Sequence, residues 1–314
     1  MEPGRPPLLV VAGPTGVGKT AVAVALAQRV PIEVVGADSR QVYRGMDAAT
    51  GKPSAEERRA VPHHLVDVAD PDDRYHAARF GADAQAAIAA TRRRGRLPVV
   101  VGGTGLYIRA LLRGLDPAPA ADPAFRRELA AIAAARGRTA LHERLATLAP
   151  AVAQRLHPND EVRVVRALEL VRAGSPVGAA RMRWSAPANE HVLYVGLTMP
   201  RETLARRLVE RAGVMVRAGL GEEVRRLLAA GYAAELPALQ GIGYRQFVQV
   251  VRGGLDEAEA VRLMQRDTVR YARRQRTWFD REPGIEWIEV TAPGSVERVA
   301  AAIEARLVQG GFIG

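Results

Sequence analysis

The sequence predicts an α/β fold, a parallel sheet flanked by helices with an all-helical domain inserted into it. Three observations carry that expectation. Apolar runs alternate with helical patterns between residues 8 and 101, the alternation of a parallel sheet. A glycine-rich turn at residues 13–20 joins the first run directly to a helix. From residue 116 the strand signal stops, and it returns only near residue 191.

Taken in order, residues 8–12 read as a buried strand and 21–29 as a helix rich in Ala and Val. Residues 32–37 are a second strand, 65–68 a weaker third, 75–94 a helix and 97–101 a strong apolar strand. A Pro/Ala/Asp linker follows at 116–123. Residues 124–172 are helical, with breaks near Gly137, Pro150 and Pro158, and 174–187 read as irregular. Strand 191–197, a helix over 201–229 broken near Gly219 and Gly221, a long helix over 256–279 and a strand at 285–290 complete the chain. The expected domains are a core of residues 1–115 and 190–314 and an insertion of 116–189.

Composition narrows the function. With 314 residues, 48% apolar and 25% charged, the chain is long enough for a substantial core and too apolar for wholesale disorder. No apolar run approaches the roughly 18 residues a membrane helix needs, and residues 1–7 lack a secretory pattern. The absence of cysteine excludes disulfides, cysteine-bound zinc and a thiol nucleophile, and fits a cytoplasmic protein. Forty-five basic against 34 acidic residues leave a net charge of +11, which points to a polyanionic partner. The plainer alternative is a bias toward Arg and Ala. Lysine occurs only at Lys19 and Lys52.

Gly13-Pro14-Thr15-Gly16-Val17-Gly18-Lys19-Thr20 matches G-x-x-x-x-G-K-[ST] between a strand and a helix, the context that makes the pattern a P-loop. Its amides and the helix N-terminus suit a di- or triphosphate. Lys19 can reach terminal phosphate oxygens, and the Thr20 hydroxyl can ligate Mg²⁺. In an open α/β sheet ligands sit beyond the carboxyl ends of the strands. Asp38-Ser39-Arg40-Gln41 and Gly102-Gly103-Thr104-Gly105 should therefore converge on the loop. By position alone Asp38 can serve as a helix cap, a metal ligand through water or a general base.

These residues, taken together, resemble the tRNA dimethylallyltransferases (isopentenyl-tRNA transferases) in their bacterial form. The resemblance rests on Asp38 through Asp47, Thr50-Gly51-Lys52-Pro53, Pro62-His63-His64-Leu65 and Val101 through Tyr107. It extends to Asn159-Asp160 with Arg163 and Arg166 through Glu169, then Gly243-Tyr244-Arg245, and Tyr271 through Gln275 with Thr277-Trp278-Phe279. The motifs run in family order over nearly the whole chain. Val17 and Val162 depart from it: small polar residues and Gln, respectively, are common there. The resemblance also implies the shorter form, without an added zinc-finger region.

The resemblance implies a P-loop NTPase-like core and transfer of a dimethylallyl group from dimethylallyl diphosphate to N6 of the adenosine 3′ of the anticodon (tRNA position 37). It makes Asp38 the general base, Thr104 a hydrogen-bond partner near the same adenosine or its phosphate, and Lys19 and Arg211 cationic stabilisers of the leaving diphosphate. Residues 13–20 hold the diphosphate, with Mg²⁺ on Thr20. Expected tRNA contacts are Asp38, Ser39, Arg40, Gln41, Arg163, Arg166, Gly243, Tyr244 and Arg245, and the insertion clasps one side of the anticodon stem-loop. Arg262, Arg266, Arg270, Arg273 and Arg274 recur at helical steps and read as one phosphate-binding face. Tyr271, Trp278 and Phe279 read as core, His63 and His64 as packing or hydrogen-bonding residues, and Lys52 as a candidate phosphate contact. A monomer is expected. The rival readings are a small-molecule or nucleotide kinase and an RNA-binding nucleotide switch. No feature selects the nucleoside of ATP, so ATP binding would rest on the loop pattern alone.

Overall fold

A computed structural model describes residues 7–115, 119, 121–175, 191–291 and 294–313. The strands are β1 (Pro7–Ala12), β2 (Ile32–Ala37), β3 (His63–His64), β4 (Leu97–Gly102), β5 (His191–Thr198) and β6 (Glu286–Glu289). They form one parallel sheet in the order β3-β2-β4-β1-β5-β6. The central strands β1, β2 and β4 are buried almost throughout, so their apolar runs are continuous rather than alternating. The chain divides into two compact units, Met1–Leu112 with Ala188–Gly314, and Arg113–Pro187.

The helices are α1 (Lys19–Ala27), α2 (Ala55–Ala60), α3 (Ala77–Arg93), α4 (Gly105–Arg113), α5 (Pro123–Arg136), α6 (Thr139–Leu148), α7 (Pro150–Ala153), α8 (Glu161–Arg172), α9 (Arg201–Arg217), α10 (Leu220–Ala229), α11 (Tyr244–Val251), α12 (Glu257–Phe279) and α13 (Ser295–Gln309). In the larger unit, Val22 and Leu26 of α1 and Ile303 and Leu307 of α13 share a core with Leu9, Val11, Val34 and Val99 of the sheet. Successive strand residues point to opposite faces. Thus Val34 joins that core while its neighbour Glu33 meets Thr91 of α3.

The smaller unit is helical. Phe125, Leu129, Leu141, Leu145, Val164 and Leu168 form its core. Asp122 caps α5 by accepting the Ala124 and Phe125 amides, with Pro123 at the first helical position. The buried Glu169 carboxylate accepts from the Asp122 amide and from the guanidinium groups of Arg126 and Arg166. The irregular reading of 174–187 lies outside the described residues from 176 on.

The third strand is displaced from its expected place. Leu65 and Asp67 have φ of 62° and 59°, a left-handed backbone that cannot continue a strand, and the pairing falls instead on His63–His64. Helices α2, α4, α11 and α13 form where the sequence pattern marks no helix. For α2 a capping signal exists all the same: Ser54 and Glu57 form a reciprocal capping box.

Glu33 tests how the sheet is held at its opening end. Its buried carboxylate accepts from Arg94 (2.8 and 2.5 Å) and Thr91 (3.0 Å), and His64 Nε2 lies 2.7 Å away. The Arg94 hydrogen bonds above all, outweighing burial, hold its pKa at about 2 against 4.5. Its stabilisation is therefore complete above pH 4.5 and is lost as the pH falls toward 2. Glu33→Gln should cost about 3 kcal/mol at pH 7 by urea unfolding, with the gap from the parent closing in acid. A gap independent of pH would refute this assignment.

Candidate active site

Register decides which residues meet. Ala12 pairs with Gly102, and Gly102 pairs with Ala37, so β1, β4 and β2 end at one level. Gly13, Asp38 and Gly103, the next residue of each strand, therefore start their loops side by side at the carboxyl edge of the sheet.

The first loop opens α1, whose N-terminus has Gly18 at the cap and no side-chain cap, leaving its first amides open to an anion. Thr15, Gly16, Gly18, Lys19 and Thr20 line a cavity of ≈ 230 Å³ together with Asp38, Gln41 and Arg211. Lys19 Nζ donates to the carbonyls of Gly13 (2.9 Å) and Pro14 (2.8 Å). Burial pushes the Lys19 ammonium down to about 8, with Asp38 opposing and Arg211 reinforcing the shift. Arg211 is lowered too, first by burial and then by Arg207. It takes no hydrogen bond and no ion pair among the described residues. Gly51 makes room for it: a Cβ there would stand 2.0 Å from the guanidinium. Two half-buried, desolvated cations beside one another favour an anionic ligand between them.

A second cavity of ≈ 260 Å³ adjoins the first. Its apolar walls include Leu208, Ala212, Met215, Ile242 and Met264, and its polar rim includes Ser39, Arg40, Arg245, Tyr271 and Arg274. Thr15, Asp38, Thr50 and Arg211 belong to both cavities. Asp38 Oδ1 accepts the amides of Arg40 (2.8 Å) and Gln41 (3.4 Å), while Oδ2 has no hydrogen-bond donor among the described residues. Thr104 Oγ1 accepts the Ser39 amide (3.1 Å), and the Thr104 amide donates to Ala37 (3.2 Å). Burial, then the Asp38 charge, pushes the Tyr271 phenol up to about 12, so it is a donor at neutral pH.

Residues 41–282 match the IPP transferase family, and residues 6–66 match the isopentenyl transferase family. The chain belongs to the IPP transferase family. The tRNA dimethylallyltransferase 1 of Syntrophotalea carbinolica is 50% identical over 289 residues, 91% of each chain. The tRNA dimethylallyltransferase of Geobacter metallireducens is 48% identical over 298 residues, 94% of this chain and 96% of the other. Among solved structures, the full-length tRNA isopentenylpyrophosphate transferase of Bacillus halodurans aligns with a TM-score of 0.72 at 35% identity over 98% of both chains. A eukaryotic dimethylallyltransferase acting on tRNA aligns with a TM-score of 0.77 at 27% identity, over 98% of this chain and 79% of the other. The fold is that of the tRNA isopentenyltransferases, a P-loop NTPase-like parallel sheet.

In this IPP transferase several expected site residues have other tasks. Tyr244 is buried at 1% exposure and donates its hydroxyl to Glu223 (2.5 Å), so its side chain offers nothing to RNA. Gly243 caps the N-terminus of α11, and Arg245 is held by Asp267 (2.5 Å) at the second cavity. The Gln41 amide donates to the Gly51 carbonyl (2.8 Å) in the first cavity, away from the second. Val17 is fully buried and anchors the loop in the core. Thr104 lies in neither cavity wall; its hydroxyl accepts the Ser39 amide and meets the Tyr271 hydroxyl, which lines the second cavity. Lys52 spends its ammonium on Tyr43 O, Asp47 and Asp67, which leaves none for a phosphate.

Other residues keep company that spacing alone did not reveal. Arg262, Arg266, Arg270 and Arg273 share one shallow concavity, but Arg274 turns to the second cavity over the Tyr271 ring. Tyr271 lines that cavity rather than the core, while Phe279 is core. Arg163 and Arg166 lie on α8 in the smaller unit, Arg163 largely exposed and Arg166 tied to Glu169. Gln275 escaped the sequence reading as a site residue, although it bonds the phosphate loop directly.

Lys19 should make anion binding at this site dependent on pH. The ammonium is charged below about 8 and loses its proton above it. Pyrophosphate should bind at least about tenfold more weakly at pH 9.5 than at pH 7. Lys19→Met should bind weakly at both. Calorimetry that found equal affinity in the parent at the two pH values would refute the assignment.

Proposed function

We propose that this chain transfers a dimethylallyl group from dimethylallyl diphosphate to N6 of the adenosine 3′ of the anticodon in tRNA, releasing diphosphate. One observation carries the reading: Asp38 and Arg211 belong at once to a phosphate-loop cavity and to a second cavity rimmed by Arg40, Tyr271 and Arg274. A donor diphosphate in the first cavity and an extruded base in the second would meet at Asp38. The transferase activity in the names of the 50% and 48% identical relatives supports the same reaction.

The adenine amine is a weak nucleophile because its lone pair is delocalised into the ring. As N6 attacks C1 of the donor, the N–C bond forms and the C–O bond breaks. The electron pair leaves with the diphosphate, and the N6 proton passes to Asp38. The loop amides, Lys19 and Arg211 stabilise the growing charge on the bridging oxygen. Oδ1 of Asp38 is fixed by two amides, which leaves Oδ2 for the proton.

Mg²⁺ fits this donor set. The Thr20 hydroxyl is a hard oxygen in the first cavity and is engaged in no hydrogen bond among the described residues. No cluster of three or more acidic or imidazole groups suited to hold a metal occurs among them, so the ion would arrive with the diphosphate and its waters. Bound there, Mg²⁺ would neutralise diphosphate charge.

The RNA backbone is proposed to run over the arginine stripe of α12, where Arg270 and Arg273 have no acidic partner among the described residues. In the smaller unit the exposed Arg163 is proposed to meet the anticodon stem-loop. One chain lines both cavities, which supports a monomer as the acting form, and a tRNA substrate supports a cytoplasmic one. Among the described residues no helix is long and apolar enough to cross a membrane.

The deciding assay supplies unmodified tRNA, Mg²⁺ and labelled dimethylallyl diphosphate without ATP. Label on N6 of the adenosine is expected. ATP turnover with no prenyl transfer would overturn the reading in favour of a kinase. Asp38→Ala should slow single-turnover transfer about 10²–10⁴-fold with tRNA affinity within about threefold of the parent. A rate within a few-fold of the parent would remove Asp38 as the base. tRNA affinity should also fall steeply with salt, and losing Arg270 and Arg273 together should reduce the log–log slope by about 2. An unchanged slope would take the stripe out of the interface.

A further inference from the structure

We infer that Gln275 is a positioning residue that sets the phosphate loop before the donor arrives and couples it to the loop after β4. The inference rests on the prenyl-transfer reading for its kinetic part. Gln275 sits on α12, far in sequence from both loops, and only 5% of it is exposed. Its two amide ends are both used. Oε1 accepts the Thr15 amide at 2.8 Å, and Nε2 donates to the Gly103 carbonyl at 2.8 Å.

Thr15 and Gly103 leave adjacent strands at the edge where the two cavities meet. One planar amide therefore holds the phosphate loop and the β4 loop at a fixed separation. The second loop carries Thr104, whose hydroxyl accepts the Ser39 amide next to Asp38. A continuous path thus runs from the phosphate loop through Gln275, Gly103 and Thr104 to the Asp38 loop. Gly103 is part of the fit: a Cβ there would stand 2.2 Å from Gln275 Nε2. The bond to Oε1 also occupies the Thr15 amide, so that amide is not one of the donors left for the diphosphate. Its role is to fix the curve of the loop that presents the others.

Side-chain chemistry explains why glutamine stands there. The position needs one acceptor and one donor on the same rigid plane. Glutamate would set a second acceptor against the Gly103 carbonyl, and methionine would fill the space while making neither bond. A shift of the loop by about 1 Å can cost about 10²-fold in rate, because donor carbon and nucleophile must stay aligned.

The test uses the full chain with Gln275→Met, Gln275→Glu and Gly103→Ala. Gln275→Met should lower the single-turnover rate at saturating donor about 10²-fold and weaken pyrophosphate binding about tenfold, with tRNA affinity within about twofold. Gly103→Ala, which pushes the same amide, should reproduce the loss, and the double variant should fall well short of the product of the two. Gly103→Ala carries the test if the Met variant does not fold. A rate and pyrophosphate affinity within threefold of the parent in a folded Gln275→Met, or losses that multiply, would overturn the coupling. If the parent transfers no prenyl group, the functional reading fails, and pyrophosphate calorimetry alone still decides whether Gln275 sets the loop.

Discussion

Everything at the site depends on the register of three parallel strands. Because Ala12, Gly102 and Ala37 stand in one row, three loops leave the sheet at the same height. A slip of one residue in β2 would turn Asp38 to the opposite face and bury it among apolar side chains. The continuous apolar burial of β1, β2 and β4 holds that register, and Glu33 clamps the opening end of β2 to α3 through Thr91. Packing far from the chemistry thereby sets the position of the carboxylate.

Electrostatics at the site are deliberately unbalanced. Lys19 and Arg211 are half-buried cations, and the Asp38 carboxylate acts on both. Burial lowers both cations, so each gains from an anion that restores its charge. The Thr50–Gly51 segment beside Arg211 is itself pinned. Gln41 holds the Gly51 carbonyl, and the Glu223 carboxylate accepts the amides of Asp47 and Ala48. Tyr244 completes that anchor from α11, which is why a motif tyrosine lies in the core rather than at the surface.

Helix α12 serves three purposes at once, because a helix presents different faces at different steps. Ala272, Gln275 and Phe279 are buried, and Gln275 reaches the loops. Tyr271 and Arg274 enter the second cavity. Arg262, Arg266, Arg270 and Arg273 form a basic concavity with Val209 of α9. Arg262 and Arg266 are partly neutralised by Glu259 and Asp267, which leaves Arg270 and Arg273 as its uncompensated charges.

Local signals carried the fold class, the phosphate loop and the identity of Asp38. A strand–Gly-rich turn–helix unit is encoded in contiguous residues, and the family motifs occur in order along the chain. The weak third strand could not be placed that way, since Leu65 and Asp67 adopt positive φ in a turn where Lys52 and Arg58 bond the Asp67 carboxylate. Spacing grouped five arginines on one helix face, but a residue's partner depends on what packs against that face, and Arg274 turned to Tyr271. The sequence by itself determined the parallel α/β class, a glycine-rich loop suited to a di- or triphosphate and a net charge of +11, because these follow from contiguous residues and composition. Only the tertiary structure decided that Asp38 and Arg211 stand between two cavities, that Lys52 and Tyr244 are structural, and that Gln275 reaches the loop. Those assignments depend on hydrogen bonds and contacts between residues up to 260 positions apart, which no local pattern encodes.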